Sequence, residues 1–479
     1  MPSSLPSSAP RPHTAPAPHT APAPHTAPAP HTAPAPHTAP RPHAAPDRAP
    51  TGDAPPTVPA QAQAHCGAEQ QAAPCGGVRT ATVGGLAPPR ARPASEPVET
   101  TPAPARYPRS CVTELRLSAF AGHRRARFQL GAVTLFTGAS GSGKSTALRA
   151  YEALARLGGG ARLAAVFPDP AACVPQGARP DAQRRRGFRI GCTADGPAGP
   201  VRLDVAVQAE PELRIVGERL SAGGVVLLET ALRDPGRRTV QAAWHTGGSA
   251  PVTRAPLPDD RLGTALLPLR VAGRTEGQRQ VLAAAEQMVV ALRSVFACDP
   301  QPDWMGVPVP TGSGRLLTGC DNLADVLWRT REECGRRHAA LVAALSAGSA
   351  GPAGPVVDLR AEPLPDGTVR AVLDRAGGGR TELARLGYGE LRYLALALVL
   401  LTGPGVLDVD PAGEVPAATQ TLTLLADGLD RGLDVRQRAE LLRLAVRMAE
   451  RGHIRCVGAV GDGSWAARTD GVTVVDLGP

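Results

Sequence analysis

Gly138, Ala139, Ser140, Gly141, Ser142, Gly143, Lys144, Ser145 and Thr146 spell GASGSGKST, and Lys144 is the only lysine in a chain of 479 residues. The rest of its 52 long basic side chains are arginine. Asparagine is as scarce, with Asn322 alone, and isoleucine stands only at Ile190, Ile215 and Ile454. A coding bias against these residue types is the simplest cause, and it makes the exceptions informative. A compact ammonium on a flexible stem differs from a wide planar guanidinium in size and donor geometry. Lys144 therefore marks a place where arginine would fail.

The spacing suits phosphate chemistry. In the pattern GxxxxGK[ST], glycines let the backbone fold tightly, so that successive N–H groups converge on phosphate oxygens. A helix starting there adds its positive N-terminal end. Lys144 then bridges the β- and γ-phosphates of a nucleotide and the Ser145 hydroxyl ligates Mg²⁺. Thr146 follows, within reach of the α-phosphate. The bland alternative is a glycine-rich turn with the same letters and no ligand. The flanks weigh against it. AVTLFTG (132–138) is a short apolar run ending on the first glycine, and STALRAYEALARL (145–157) carries apolar residues at helical spacing. Strand, turn and helix are the context in which the motif has a mechanism.

The elements around this turn read as α/β. CVTELRLSAF (111–120) alternates as a strand. From about 189 to 245, VRLDVAVQ, LRIVGERL, VVLLETALRD and RRTVQAAWH predict an antiparallel sheet of hairpins. The stretches 274–297 and 322–345 each predict a helix with an apolar stripe. Another hairpin, VVDLRAEPLPDGTVRAVLDRA, leads into TELARLGYGELRYLALALVLL, and strand-like HIRCVGAV and GVTVVDLG close the chain around a helix over 436–451. The expected fold is a P-loop NTPase with a mixed central sheet, an antiparallel β-hairpin subdomain and a helical subdomain over 110–479. Its parts are a first lobe over 110–270, a helical insertion over 271–350 and a second lobe over 351–479. Sustained heptads are absent from the sequence, so no long coiled-coil arm is expected.

Residues 1–109 are set apart by composition. TAPAPH recurs between Arg11 and Pro46 and places His13, His19, His25, His31, His37 and His43 six apart. Proline removes backbone donors and no large apolar side chain is present to bury, so a disordered tail is expected. Slippage of a short repeat explains the histidine ladder as well as metal binding does. Removing residues 1–105 is expected to leave a cooperative melt and nucleotide affinity unchanged. Loss of either on truncation would assign the tail a structural role.

Nine cysteines without a CxxC pair suggest neither a zinc site nor a disulfide framework. The longest apolar run, LALALVLL (394–401), is far short of the roughly 20 residues a membrane helix needs. No leader pattern opens the sequence, and a cytoplasmic protein away from the membrane is expected. The formal charge of +9 is a weak pointer to nucleic acid. The clusters GHRRARF (122–128) and RRRGFR (184–189) are either phosphate contacts or a solvated face.

In this arrangement the chain resembles the ABC-type ATPases of the SMC and RecF group. LRLSAFAGHRRARFQLGAVTLFTGASGSGKSTALRAYEAL is similar to that group's opening strands, Walker A motif and following helix. LGYGELRYLALALVLL resembles its signature motif and helix, although an ordinary turn before a buried helix explains those letters too. RLLTGCDNLADVLWR, with Asn322, resembles a segment that recurs in RecF-like ATP-binding proteins. The resemblance implies ATP and Mg²⁺ held between two heads, Walker A of one copy meeting the signature loop of the other in an ATP-dependent homodimer. That loop is Leu386, Gly387, Tyr388, Gly389 and Glu390, with Gly387 where the group has serine.

The resemblance also implies a Walker B strand that ends in an aspartate for Mg²⁺ and a carboxylate for the attacking water. In GVLDVDPAGEVP these fall on Asp408 and Asp410, with Glu414 beyond. Aspartate is one methylene shorter than the group's glutamate. No switch histidine stands in CVGAVGDGSWA, where Asp462 and the preceding His453 are nearest. Two outcomes stay open. One is slow Mg²⁺-dependent hydrolysis coupled to dimerisation, acting on a partner protein or DNA; the other is an ATP-gated switch or scaffold without hydrolysis.

Overall fold

The computed structural model describes residues 109–247, 251–312, 314–349, 354–409 and 420–478. The chain divides into two units, Met1–Pro97 and Val98–Pro479, and the described residues belong to the second. Asp410, Glu414 and the histidine ladder of the tail lie outside the described residues.

The alternating opening forms β1 (Cys111–Phe120), β2 (His123–Gln129) and β3 (Val133–Thr137). β3 feeds helix α1 (Lys144–Gly158), which is followed by the short α2 (Leu163–Val166). Successive hairpins then give β4 (Arg186–Asp195), β5 (Val201–Glu210), β6 (Arg214–Ala222), β7 (Val225–Ala231), β8 (Thr239–His245) and β9 (Val252–Pro258). Next come α3 (Gly263–Leu266), α4 (Glu276–Arg293), β10 (Val295–Ala297), α5 (Pro302–Met305) and β11 (Val309–Pro310). Helices α6 (Leu323–Glu333) and α7 (Gly335–Gly348) precede the strands β12 (Val356–Pro363), β13 (Thr368–Arg375) and β14 (Arg380–Glu382). The last elements are α8 (Tyr388–Leu401), β15 (Leu422–Ala426), α9 (Val435–Glu450), β16 (Ile454–Ala459) and β17 (Val472–Asp476).

These strands make a mixed α/β fold with two principal sheets. The antiparallel one has the order β2-β1-β4-β5-β6-β7-β8-β9, and the parallel one β10-β15-β16-β3-β17. A small third sheet joins β11, β13 and β12, with β14 on β13. Helix α1 lies between the two large sheets, and α4 packs beside it on the antiparallel one. Leu148, Tyr151, Leu154 and Leu157 of α1 share one core with Leu115, Leu117, Ile190 and Leu203 of the antiparallel sheet and with Leu425 and Val457 of the parallel one. The other face of the parallel sheet, with Leu135, Leu424 and Cys456, joins Leu394, Leu398 and Leu441 of α8 and α9 in a second core. Successive residues of a strand thus feed opposite cores, as the two-residue period requires. Strands buried on both faces read as apolar runs, and β15 is buried along all five residues. Each fully buried leucine contributes about 1.5–3 kcal/mol, so the sheet that carries the glycine-rich turn is held from both sides.

Two predicted helices differ in the structure. The stretch 274–297 stops being helical at Arg293, because Val295, Phe296 and Ala297 pair in parallel with Thr423, Leu424 and Leu425 of β15. The stretch 322–345 is two helices broken at Cys334, whose φ of −152° is extended. Gly335 follows, a residue that favours a break over helix continuation. The break lets α6 lie on β12 and β13 while α7 packs on α8 and α9.

Candidate functional site

β3 leaves the parallel sheet at Thr137 and enters α1 through a turn in which Gly138, Gly141 and Gly143 have φ of 137°, 87° and 102°. Gly143 is required twice over. Its dihedral lies where L-residues rarely go, and a Cβ there would sit 2.6 Å from His123 Nε2. That nitrogen lies 3.0 Å from Gly143 O; a carbonyl only accepts, so Nε2 carries the proton. The same carbonyl receives the Ala147 N–H at 2.9 Å, the first hydrogen bond of α1. The His123 ring packs edge-on against Phe128 with centroids 5.6 Å apart. A β2 side chain thereby braces the start of the helix. At the other end of the turn, Ala139 N–H donates to Gly478 O at 3.3 Å.

Lys144 folds back over the turn, its Nζ donating to Gly138 O at 2.7 Å and to Ala139 O at 2.8 Å. The Ser142 hydroxyl is buried without a hydrogen-bond partner among the described residues, an arrangement that costs free energy until a further polar group arrives. Ser145 and Thr146 open α1 with their side chains half-buried. The turn therefore offers backbone N–H groups, a helix N-terminus, one ammonium and the four hydroxyls of Ser140, Ser142, Ser145 and Thr146. That donor set fits a polyphosphate.

Sheet order brings an acidic residue to the same edge. β15 lies two strands from β3 with β16 between them, Ala426 opposite Gly458 and Ala459 opposite Phe136. Asp427, the residue after β15, is exposed at the carboxyl edge of the sheet. Two strand spacings separate it from β3, about 10 Å. The loops after β15 and β16 are tied together, Leu429 N–H donating to Ala459 O at 2.8 Å and Gly461 N–H to Asp430 Oδ2 at 3.2 Å. Gly428, without a carboxylate, follows Asp427. Asp462 accepts from the Ser464 hydroxyl at 2.7 Å and from its N–H at 2.9 Å, which holds its carboxyl below the usual range.

Asp408, expected at the end of a Walker B strand, lies outside the five-stranded sheet. Residues 404–406 make a 3₁₀ turn, Leu407 bridges Leu316, and Asp408 N–H donates to Leu316 O at 2.9 Å. A run this short, bounded by Gly403 and Pro404, does not enter the five-stranded sheet. Asp410, the other acidic candidate, is outside the described residues. The signal for Asp427 was present in TLTLLAD (421–427), an apolar stretch ending in aspartate. Thr423 interrupts its apolarity, and Asp427 before Gly428 reads locally as a turn.

In the signature-like loop Leu386 is buried, whereas Gly387 and Tyr388 are exposed at the N-terminus of α8. Glu390 accepts the Gly387 N–H at 3.4 Å and an Arg375 N–H at 3.3 Å. The Tyr388 hydroxyl donates to Asp303, which raises its pKa above the ordinary phenol value. Gly389 has a packing cause, since a Cβ there would lie 2.1 Å from Gly432 O. Arg392, buried on the same helix, donates to Gly428 O at 3.1 Å, Asp427 O at 3.4 Å and Pro300 O at 2.9 Å. The start of α8 and the acidic strand end are thus fastened to each other. Gly389→Ala is expected to lose about 1–3 kcal/mol by overpacking. An unchanged thermal melt would mean that the close approach relaxes freely.

Asn322 closes the loop before α6, its Nδ2 donating to Arg315 O at 2.6 Å and its Oδ1 accepting Leu317 N–H at 3.0 Å. That gives the single asparagine a local structural role.

No protein-family model and no curated protein matches the chain. It is similar to solved structures of SMC heads, the group its motifs resemble. One is the SmcHead bound to the C-winged helix domain of ScpA, at 13% identity and a TM-score of 0.42, covering 76% of this chain and 94% of that one. A second is the SMC head domain from Thermotoga maritima, at 13% identity and a TM-score of 0.36, covering 75% and 92%. A third is the Smc head domain with an extended coiled coil bound to the C-terminal domain of ScpA derived from Pyrococcus furiosus. It stands at 11% identity and a TM-score of 0.38, covering 77% and 93%.

Proposed function

We propose that this chain binds ATP with Mg²⁺ at the turn 138–146, hydrolyses it slowly, and closes into a homodimer while ATP is bound. The observation that carries the reading is Lys144, the sole lysine, folded over a glycine turn between a buried parallel strand and a helix start. Bound phosphate takes over the donors that Gly138 O and Ala139 O now occupy. Ser145 and Asp427 are the residues that would hold Mg²⁺, which when bound neutralises charge between the phosphates. The exposed N-terminus of α8 at Gly387 and Tyr388 suits the γ-phosphate of a second copy. Nucleotide held only in the closed pair stabilises that pair by mass action.

A second reading, an ATP-gated switch or scaffold that does not hydrolyse, is favoured by Gly428. The position after Asp427 offers no carboxylate to orient water, and Asp462 is engaged by Ser464. One experiment separates them: steady-state turnover and nucleotide affinity measured on the same full-length sample. Binding with turnover supports the hydrolase and binding without turnover the switch. Failure to bind would sink both.

A further inference from the structure

Two thiols, 22 positions apart in the sequence, meet in the second core with their sulfurs 3.7 Å from each other. Cys298 follows β10, and its N–H donates to Leu425 O at 2.8 Å, two residues before Asp427. Cys320 stands shortly before α6. Backbone hydrogen bonds hold the two segments side by side. Asp299 N–H donates to Thr318 O at 2.9 Å and Gln301 N–H to Gly319 O at 2.8 Å. Both cysteines are buried and carry free thiols. Cys320 has a φ of 58°, in the left-handed region. A residue with a Cβ is strained there, yet a chain with 53 glycines places a thiol at that point.

The cover over this pair is thin. Arg315, Leu317 and Thr318 of the loop before Cys320 are exposed, and Cys320 lies directly beneath them. The Asn322 side chain holds the start of that loop, and the two backbone bonds above hold its end. A segment fastened by so few bonds opens locally at less cost than the whole fold. While the loop is closed, the Cys298 thiol alongside and burial push the Cys320 thiol well above its ordinary value. The closed thiol is therefore protonated and inert. Opening the loop brings water, and with it small oxidants, to the pair.

We infer that Cys298 and Cys320 are a redox site, converted to a reversible disulfide by hydroperoxides. One thiol loses its proton, and its sulfur attacks a peroxide oxygen; the O–O bond breaks, the sulfur becomes a sulfenic acid, and the proton leaves with the departing hydroxide as water. The second thiol then attacks that sulfur. The S–S bond forms, the S–O bond breaks, and the hydroxide takes the second thiol proton as another water. Two sulfurs are oxidised and one peroxide is reduced. A bond of about 2.05 Å asks sulfurs now 3.7 Å apart to close by roughly 1.7 Å, within reach of rotation about the two Cα–Cβ bonds. The bond ties the loop that carries the Leu316 bridge to Leu407 onto the segment that Arg392 holds through Pro300 O. A soft metal would want further ligands around the two sulfurs, and no group of three metal-ligating side chains occurs among the described residues. The inference does not depend on the nucleotide site.

The test treats the full chain with hydrogen peroxide, alkylates the remaining thiols and maps tryptic peptides without reduction. Arginines divide the pair between two peptides, 294–315 with Cys298 as its one cysteine and 316–329 with Cys320 as its one cysteine. A linked species of these two peptides is expected, and dithiothreitol should reverse it. The oxidised protein should melt about 5 °C above the reduced one, because the closed loop restricts the unfolded chain. Cys298→Ser and Cys320→Gly should show no such rise, while Cys334→Ser should rise as the wild type does. Glycine suits the left-handed backbone at 320, so Cys320→Gly keeps the reading if Cys298→Ser fails to fold. The inference is overturned if peroxide leaves both cysteines open to alkylation, or links either one to a different cysteine. It is equally overturned if the sulfurs pass to sulfinic acid without a linked peptide, if the linked form melts no higher than the reduced one, or if the rise persists in a folded Cys320→Gly.

Discussion

Lys144→Ala and Lys144→Arg are both expected to abolish tight ATP binding. Truncating one partner of a close charge pair costs about 2–5 kcal/mol, which is roughly 30- to 5,000-fold in Kd. The alanine variant removes the charge; the arginine variant keeps it and tests the geometry. Nζ now reaches two carbonyls of its own turn at 2.7 and 2.8 Å. A planar fork with donors spread over its width cannot put one nitrogen there without pushing backbone or phosphate aside. Isothermal titration beside a thermal melt reads the result, the melt guarding against a collapsed turn. If arginine binds as well as lysine, the site reads charge alone, and the retention of one lysine is left without a physical reason. If both variants bind as the wild type does, ATP is not bound at this turn.

What could be read from the sequence was what lies close together along it. The turn is nine consecutive residues between an apolar run and a helical stripe, so its placement after β3 and before α1 follows from local pattern. The hairpins β5 to β8 were legible for the same reason, since alternation and turn residues are short-range signals. The acidic partner was not. GVLDVDP and TLLADGL each offer an aliphatic stretch and an aspartate, and composition does not rank them. What separates them is pairing: β15 lies between β10 and β16, while Leu407 bridges Leu316 outside that sheet. Pairing between residues more than a hundred positions from β3 is decided by the whole sheet. The strand β10 was hidden likewise, because Val295 to Ala297 continue a helical stripe until β15 gives them a neighbour. Gly389 read as phosphate chemistry, yet the structure gives it a packing cause in Gly432.

Asp427→Asn is expected to weaken Mg²⁺-dependent ATP binding by about 10- to 100-fold, the usual effect of losing a group that holds a metal through its outer shell. Affinity measured in the presence of a chelator should not change. The replacement keeps the shape and removes only the charge. The fold should tolerate it, because the side chain is exposed and Arg392 is bound through the Asp427 carbonyl. Asp408→Asn and Asp410→Asn belong in the same series. Asp408, attached to Leu316 outside the parallel sheet, should leave the Mg²⁺ dependence alone. If Asp408→Asn or Asp410→Asn abolishes it while Asp427→Asn does not, the metal carboxylate belongs to the loop after α8, and β15 is only a structural strand. Turnover sharpens the comparison. With Gly428 after Asp427, any hydrolysis needs its water-orienting carboxylate from another segment. Wild-type turnover lost in Asp410→Asn but retained, with a raised Mg²⁺ requirement, in Asp427→Asn would divide the two roles between these segments. Binding that depends on Asp427 with no turnover in any of the four proteins would mean that the bound nucleotide acts by closing the dimer.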